Sequence, residues 1–153
     1  MRKKNRKAII DSILKTKWDL KITLTFQNDI SEARAAKTLR RWWNEIDRVF
    51  YGCAVSRFGK RTERICLYQT GKSDSNPHYH IHANKPADRN ISLDKYIKLL
   101  EKHWRKLSSA NYINEFELNI NNVKWANYTT SEITATNTDS LDIYASNFKF
   151  VQV

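Results

Sequence analysis

Pro77-His78-Tyr79-His80-Ile81-His82-Ala83 is the stretch around which the rest of the chain is organised. Three of the four histidines fall here at alternate positions, so a β-strand would project all three from one face. Tyr79, Ile81 and Ala83 supply an apolar opposite face, and this period of two predicts a half-buried strand. Imidazole is the commonest metal-ligating side chain. Two imidazoles on one rigid strand leave coordination positions open for other ligands and for substrate. A surface strand that merely carries histidines is the plainer alternative.

Working outward, the polar run from Gly71 to Pro77 leads into this strand and Asn84-Lys85-Pro86 ends it. Before the loop, Arg64 to Thr70 reads as a strand, and its Tyr68 and Gln69 are expected to pair with the histidine strand. Tyr51 to Phe58 reads as another, joined to it through Gly59-Lys-Arg-Thr in an antiparallel hairpin. Asp19 to Gln27 alternates strictly, with Leu20, Ile22, Leu24 and Phe26 on one face and Lys21, Thr23, Thr25 and Gln27 on the other. Glu115 to Asn121 alternates again and makes a fifth strand. Between them, Asn28, Asp29 and Ser31 offer N-caps for a helix to about Phe50. Its stripe of Ala35, Leu39, Trp42, Ile46 and Val49 leaves Arg34, Lys37, Arg40, Arg41 and Arg48 outside, with Trp42 and Trp43 in or beside the core. A second helix begins at Ser92, and Leu93, Tyr96, Ile97, Leu100, Trp104 and Leu107 form its stripe, with His103 read as structural. Trp125, Tyr128 and Glu132 are spaced like one side of a third. The expected fold is α+β: a single five-stranded antiparallel sheet backed by helices, with one face packed and the other holding the histidines and polar residues.

The 153 residues suit one domain, residues 18–153, preceded by a basic arm or short amphipathic helix over 1–17. Twenty-seven basic against sixteen acidic residues give a net charge of +11, which favours a polyanionic partner, nucleic acid first. Cys53 and Cys66 are too few for a disulfide framework and read as buried thiols in strands, which points to the cytoplasm. No apolar run reaches the roughly 20 residues of a membrane span, and no signal-peptide core follows the basic N-terminus.

Three segments in order resemble the HUH endonucleases, and within them the rolling-circle replication initiator (Rep) proteins of plasmids and phages. Ile22-Thr-Leu-Thr-Phe26 resembles the first motif, a Thr-rich strand near the N-terminus. His78-Tyr-His80, or His80-Ile-His82, resembles the His-hydrophobe-His metal motif, and Trp125-Ala-Asn-Tyr-Thr-Thr-Ser-Glu132 resembles the helix that carries the nucleophilic tyrosine. The likeness runs from about residue 18 to about 135 and implies a ferredoxin-like variant of the α+β fold. It implies nicking and joining of single-stranded or origin-hairpin DNA by Tyr128 through a 5′-phosphotyrosine link, with Mn²⁺ or Mg²⁺ as cofactor. It further implies His78 and His80 as the metal pair, because Asn84-Lys85-Pro86 follows His82 too soon, with His82 a neighbour or substitute. The third ligand falls on Gln69, with Glu63 as runner-up, and Tyr144 is the alternative nucleophile. Lys21, Thr23, Thr25 and Lys124 are the implied DNA contacts. The family's lysine three residues after the tyrosine is here Ser131, so a Rep-fold protein that binds DNA without cleaving it is an alternative reading. Relaxases and small transposases of the same superfamily, and an unrelated metal-dependent hydrolase, are others. Strand separation is expected from a separate host helicase.

Overall fold

The computed structural model describes residues 2–27, 30–70, 77–107, 115–118, 123–131 and 140–148. In chain order the elements are α1 (Arg2–Lys15), β1 (Leu20–Thr25), α2 (Glu32–Tyr51), α3 (Ala54–Phe58), β2 (Arg64–Gln69), β3 (His78–Ala83), α4 (Leu93–Arg105), β4 (Glu115–Leu118) and α5 (Val123–Thr129). The strands form one antiparallel sheet in the order β2-β3-β1-β4.

The fold is α+β as expected, but among the described residues the sheet has four strands and not five. The expected strand over Tyr51 to Phe58 is helical: α2 runs through Tyr51, Gly52 breaks it at φ +51, and α3 follows until Gly59 caps it in the left-handed region. Local i to i−4 bonds such as Gly52 N–H to Arg48 O satisfy this backbone, and Val55 is the only one of these eight residues that is buried. Gly59-Lys-Arg-Thr is thus an exit from a helix and not a hairpin turn. Cys53 accordingly lies exposed between two helices, in contrast to the strand thiol expected, whereas Cys66 is fully buried in β2. The outer edge of β2 is covered by the segment 140–148, which makes isolated bridges Leu67↔Leu141 and Arg64↔Asn147 and donates from Asp142 N to Cys66 O at 3.0 Å. Of the expected strand over Glu115 to Asn121, residues 119–121 lie outside the described residues, as do Asn28, Asp29 and Glu132.

Both faces of the sheet are covered, including the one expected to hold the histidines and polar residues. On one side Leu20, Ile22, Leu24, Cys66, Tyr79 and Ile81 meet the apolar stripes of α2 and α4, and Trp42, Trp43 and Trp104 are fully buried there. Ser31 and Ser92 start these two helices, each side chain accepting from the backbone N–H three residues on. Arg64 crosses this layer to Asp47, with Nη1 2.8 Å from both carboxylate oxygens. On the other side α1 and α5 lie over the sheet, and Ile9, Ile13, Trp18, Ile65, Leu67 and Ala126 form a second, smaller cluster. The basic N-terminal stretch is therefore a helix whose Ile9 and Ile13 are buried, with Ile10 and Leu14 half-buried against the same cluster. Among the described residues no helix is long and apolar enough to cross a membrane.

Candidate functional site

Strand alternation builds the site from three neighbouring strands. The register sets His78 between Thr25 and Gln69, His80 between Thr23 and Leu67, and His82 between Lys21 and Ile65. All these side chains share the sheet face beneath α1 and α5. The expected pairing of the histidine strand with Tyr68 and Gln69 is observed.

The three histidines are not equivalent. His82 is 1% exposed, with Trp18 and Trp125 against its ring and its Nε2 3.3 Å from Thr129 Oγ1. His80 is 4% exposed, its Nδ1 lies 3.3 Å from Thr23 Oγ1, and its Nε2 is buried without a hydrogen-bond partner among the described residues. His78 stands at the mouth, half-buried, with its ring centroid 4.8 Å from that of His80. Burial above all holds His80 down to a pKa of about 3, aided by the positive charge that His78 and His82 would add. Burial, then the nearby Lys21 ammonium, does the same for His82. Both inner imidazoles are therefore neutral at pH 7, the state in which a ring nitrogen can ligate a metal or accept a proton.

α5 brings the aromatic residues onto this row. Tyr128 lies 48 positions beyond His80 in the chain, yet its ring centroid is 5.3 Å from that of His80, and the tyrosine is 55% exposed. Trp125, one turn earlier, stacks on Tyr128 at 5.6 Å, covers His80 at 5.2 Å, and carries the Lys21 ammonium 4.4 Å above its own ring. Lys21 also pairs with Glu117 at 3.0 Å. The end of α5 is tied down twice. Gln69 Nε2 donates to the carbonyls of Tyr128 and Thr129 at 3.0 and 2.9 Å, and Arg6 Nε of α1 donates to Thr130 O at 3.0 Å. A cation at a helix C-terminus is favourable in its own right.

Of the residues singled out from sequence, His78, His80, His82, Gln69, Thr23, Thr25, Lys21 and Tyr128 come together on this face, and Lys124 is exposed on α5 beside them. Glu63 does not join them: it precedes β2 at the far end, where its carboxylate accepts from Asn84. Tyr144 is also elsewhere, under the Arg40 guanidinium on the α2 side, beside a cavity of about 340 Å³ also lined by Glu32 and Asp142. Sequence reasoning missed Trp18, Thr129 and the roofing part played by Trp125. Trp125 was visible as the i−3 neighbour of Tyr128, but nothing in the local pattern marks Trp18 or Thr129.

As for a metal, the chemistry of the donors fits at His80 and His82, whose neutral imidazoles each keep a buried ring nitrogen, Nε2 and Nδ1 respectively, without a hydrogen-bond partner among the described residues, beside a Gln69 that has only its carbonyl oxygen to offer. Among the described residues no group of three or more His, Cys, Asp or Glu side chains is arranged to hold an ion. No known family, curated protein or solved structure matches the chain.

Proposed function

We propose that this protein is a metal-dependent DNA nicking and joining enzyme of the HUH type, with Tyr128 as nucleophile, acting in rolling-circle replication. The observation that carries the reading is the 5.3 Å approach of the Tyr128 ring to His80, between residues that the sequence keeps far apart. A divalent ion held by His78 and His80, with the Gln69 oxygen completing the set, would polarise a phosphate oxygen and stabilise the charge that develops on it. His82, sealed between Trp18, Trp125 and Thr129, suits a second-layer support better than a ligand, which favours the His78/His80 register.

The chain's own residues then have separable tasks. Tyr128 gives up its phenol proton and attacks phosphorus through the phenol oxygen, the bond from phosphorus to the 3′-oxygen breaks, that oxygen takes up a proton, and the strand is left as a 5′-phosphotyrosine with a free 3′-hydroxyl. Reversal by another 3′-hydroxyl rejoins strands, because the ester is conserved. A phenol of reference pKa about 10 needs help to ionise at neutral pH. Ser131, at the place where the family carries lysine, brings no charge. Lys21 brings a cation to this face, reaching Trp125 and thus the ring stacked on Tyr128.

A second reading, binding of a single strand without cleavage, is favoured by Ser131 and by the burial of His80 Nε2 beneath α5. One experiment separates the two: incubation with single-stranded DNA libraries and Mn²⁺, followed by a denaturing gel and sequencing of any adduct. Nicking predicts a covalent adduct that Tyr128→Phe abolishes. An adduct that survives Tyr128→Phe removes Tyr128 as nucleophile, and retention of DNA without an adduct in the native chain leaves the binding reading. Mn²⁺ affinity should fall in His80→Ala; unchanged affinity removes both histidine registers.

A further inference from the structure

The excess charge of this protein sits in two separate layers. α1 carries six basic residues against one acidic, and α2 with α4 carries nine against five, so these three helices hold nine of the eleven excess charges. α1 lies on the histidine side of the sheet, while α2 and α4 pack on the opposite side. One of the five acids, Asp47, is turned inward to Arg64. Of the others, Glu45 is engaged by Arg41 and His103 at 3.2 and 3.5 Å, and Asp94 by Lys98 at 3.0 Å. Arg34, Lys37, Arg48, Lys95, Lys102 and Arg105 are exposed and make no ion pair among the described residues.

We infer that the outer face of α2 and α4 is a second nucleic-acid surface that grips the phosphate backbone of a double strand, independently of the histidine face. Charge complementarity selects a polyanion. The kind of side chain selects a duplex: among the described residues the one exposed large apolar side chain of α2 and α4 is Val49, neither helix exposes an aromatic ring, and the exposed Tyr144 ring on this side belongs to the segment 140–148 and lies against Arg40, not against the six unpaired cations. Single-strand surfaces stack bases on aromatic rings, whereas a duplex can be held through its phosphates alone. The dimensions agree. The 20 residues of α2 make a helix of about 30 Å, close to the roughly 34 Å turn of B-form DNA. The same scarcity of apolar side chains argues against a membrane, where an interfacial helix buries Leu, Phe or Trp. With the sheet between the two surfaces, the chain can hold a duplex while a single strand occupies the histidine side. This holds whether or not Tyr128 cleaves.

The test uses the full chain and a variant carrying Lys37→Gln, Arg48→Gln, Lys95→Gln and Lys102→Gln, all exposed sites whose loss leaves both cores intact, with folding checked by circular dichroism. Binding to a random-sequence 20-base-pair duplex and to a single-stranded oligonucleotide of equal length is titrated between low and physiological salt. Each lost phosphate contact lowers the slope of log K against log salt by about 0.9 on duplex DNA, so removing four should lower it by about 3 to 4 and weaken binding at least tenfold. Single-strand affinity, and any Mn²⁺-dependent adduct, should stay within about twofold. Equal losses on both ligands would reduce the effect to net charge and overturn the inference, as would an unchanged duplex slope. Anionic phospholipid vesicles form a third arm: binding to them in place of duplex DNA, lost in the same variant, would assign the surface to a membrane.

Discussion

Lowering the pH from 7 to 4.5 in the presence of a chelator should destabilise the fold through His80 and His82. Both are buried, at 4% and 1% exposure, and both are held from an ordinary value of 6.5 down to about 3, burial being the main cause. Such a group takes up a proton more readily in the unfolded chain than in the folded one. Stability therefore falls as pH drops below the unfolded value and keeps falling until the folded value is reached. Within that window each histidine costs about 1.4 kcal/mol per pH unit. Between neutrality and pH 4.5 each gives up about 2.5 kcal/mol and the two together about 5 kcal/mol, against the roughly 5–15 kcal/mol that holds a typical domain folded. Carboxylates, with reference values near 4, act mostly below this range. Urea unfolding followed by tryptophan fluorescence at half-unit pH steps would measure the slope, with His82→Leu as comparison. The native chain should show a slope approaching about 2.7 kcal/mol per unit, and the variant about half of it, whatever packing the substitution costs. A flat profile, or one that His82→Leu leaves unchanged, would refute the burial of neutral imidazoles under α5.

Two further predictions concern the scaffold. Asp47→Ala strands the Arg64 guanidinium, which is 2% exposed, and should cost about 3–5 kcal/mol by chemical denaturation, with much of it regained in Asp47→Ala combined with Arg64→Met. Full stability in the single variant would show that Arg64 finds other compensation. Gln69→Glu sets carboxylate oxygen against the Tyr128 and Thr129 carbonyls that the amide now satisfies, and should cost about 1–3 kcal/mol and speed amide exchange across α5. An unchanged melting temperature and exchange pattern would show that Gln69 does not tether the helix.

Much of the site was legible in the sequence, because its parts rest on local periodicity. Alternation places His78, His80 and His82 on one face of β3, and Lys21, Thr23 and Thr25 on one face of β1, in any fold that makes them strands. The helical stripes of α2 and α4, except Val49, which lies exposed at the end of the α2 stripe, their serine caps, and the burial of Trp42 and Trp43 followed from the same kind of pattern. The misreading of Tyr51 to Phe58 has a physical cause: a short run with scattered apolar residues suits a strand or a helix end equally well. The contest was settled by α2, whose last turn holds Gly52, and by the absence of a sheet partner for the segment among the described residues.

What the sequence by itself determined is everything with a period of two or 3.6: the strand faces, the helix stripes, the basic surfaces and the row of histidines. Only the tertiary structure decided which of those histidines is reachable and what faces them. Trp18, Gln69 and the α5 pair Trp125 and Thr129 arrive from three different parts of the chain, and no local pattern records their meeting. The same holds for the second covered face of the sheet. α1 and α5 are short pieces whose Ile9, Ile13 and Ala126 gain by burial in one cluster with Ile65 and Leu67, a preference that exists only once β2 and β3 have paired. Their docking turns an exposed row of imidazoles into a buried, neutral pair with Tyr128 at its mouth.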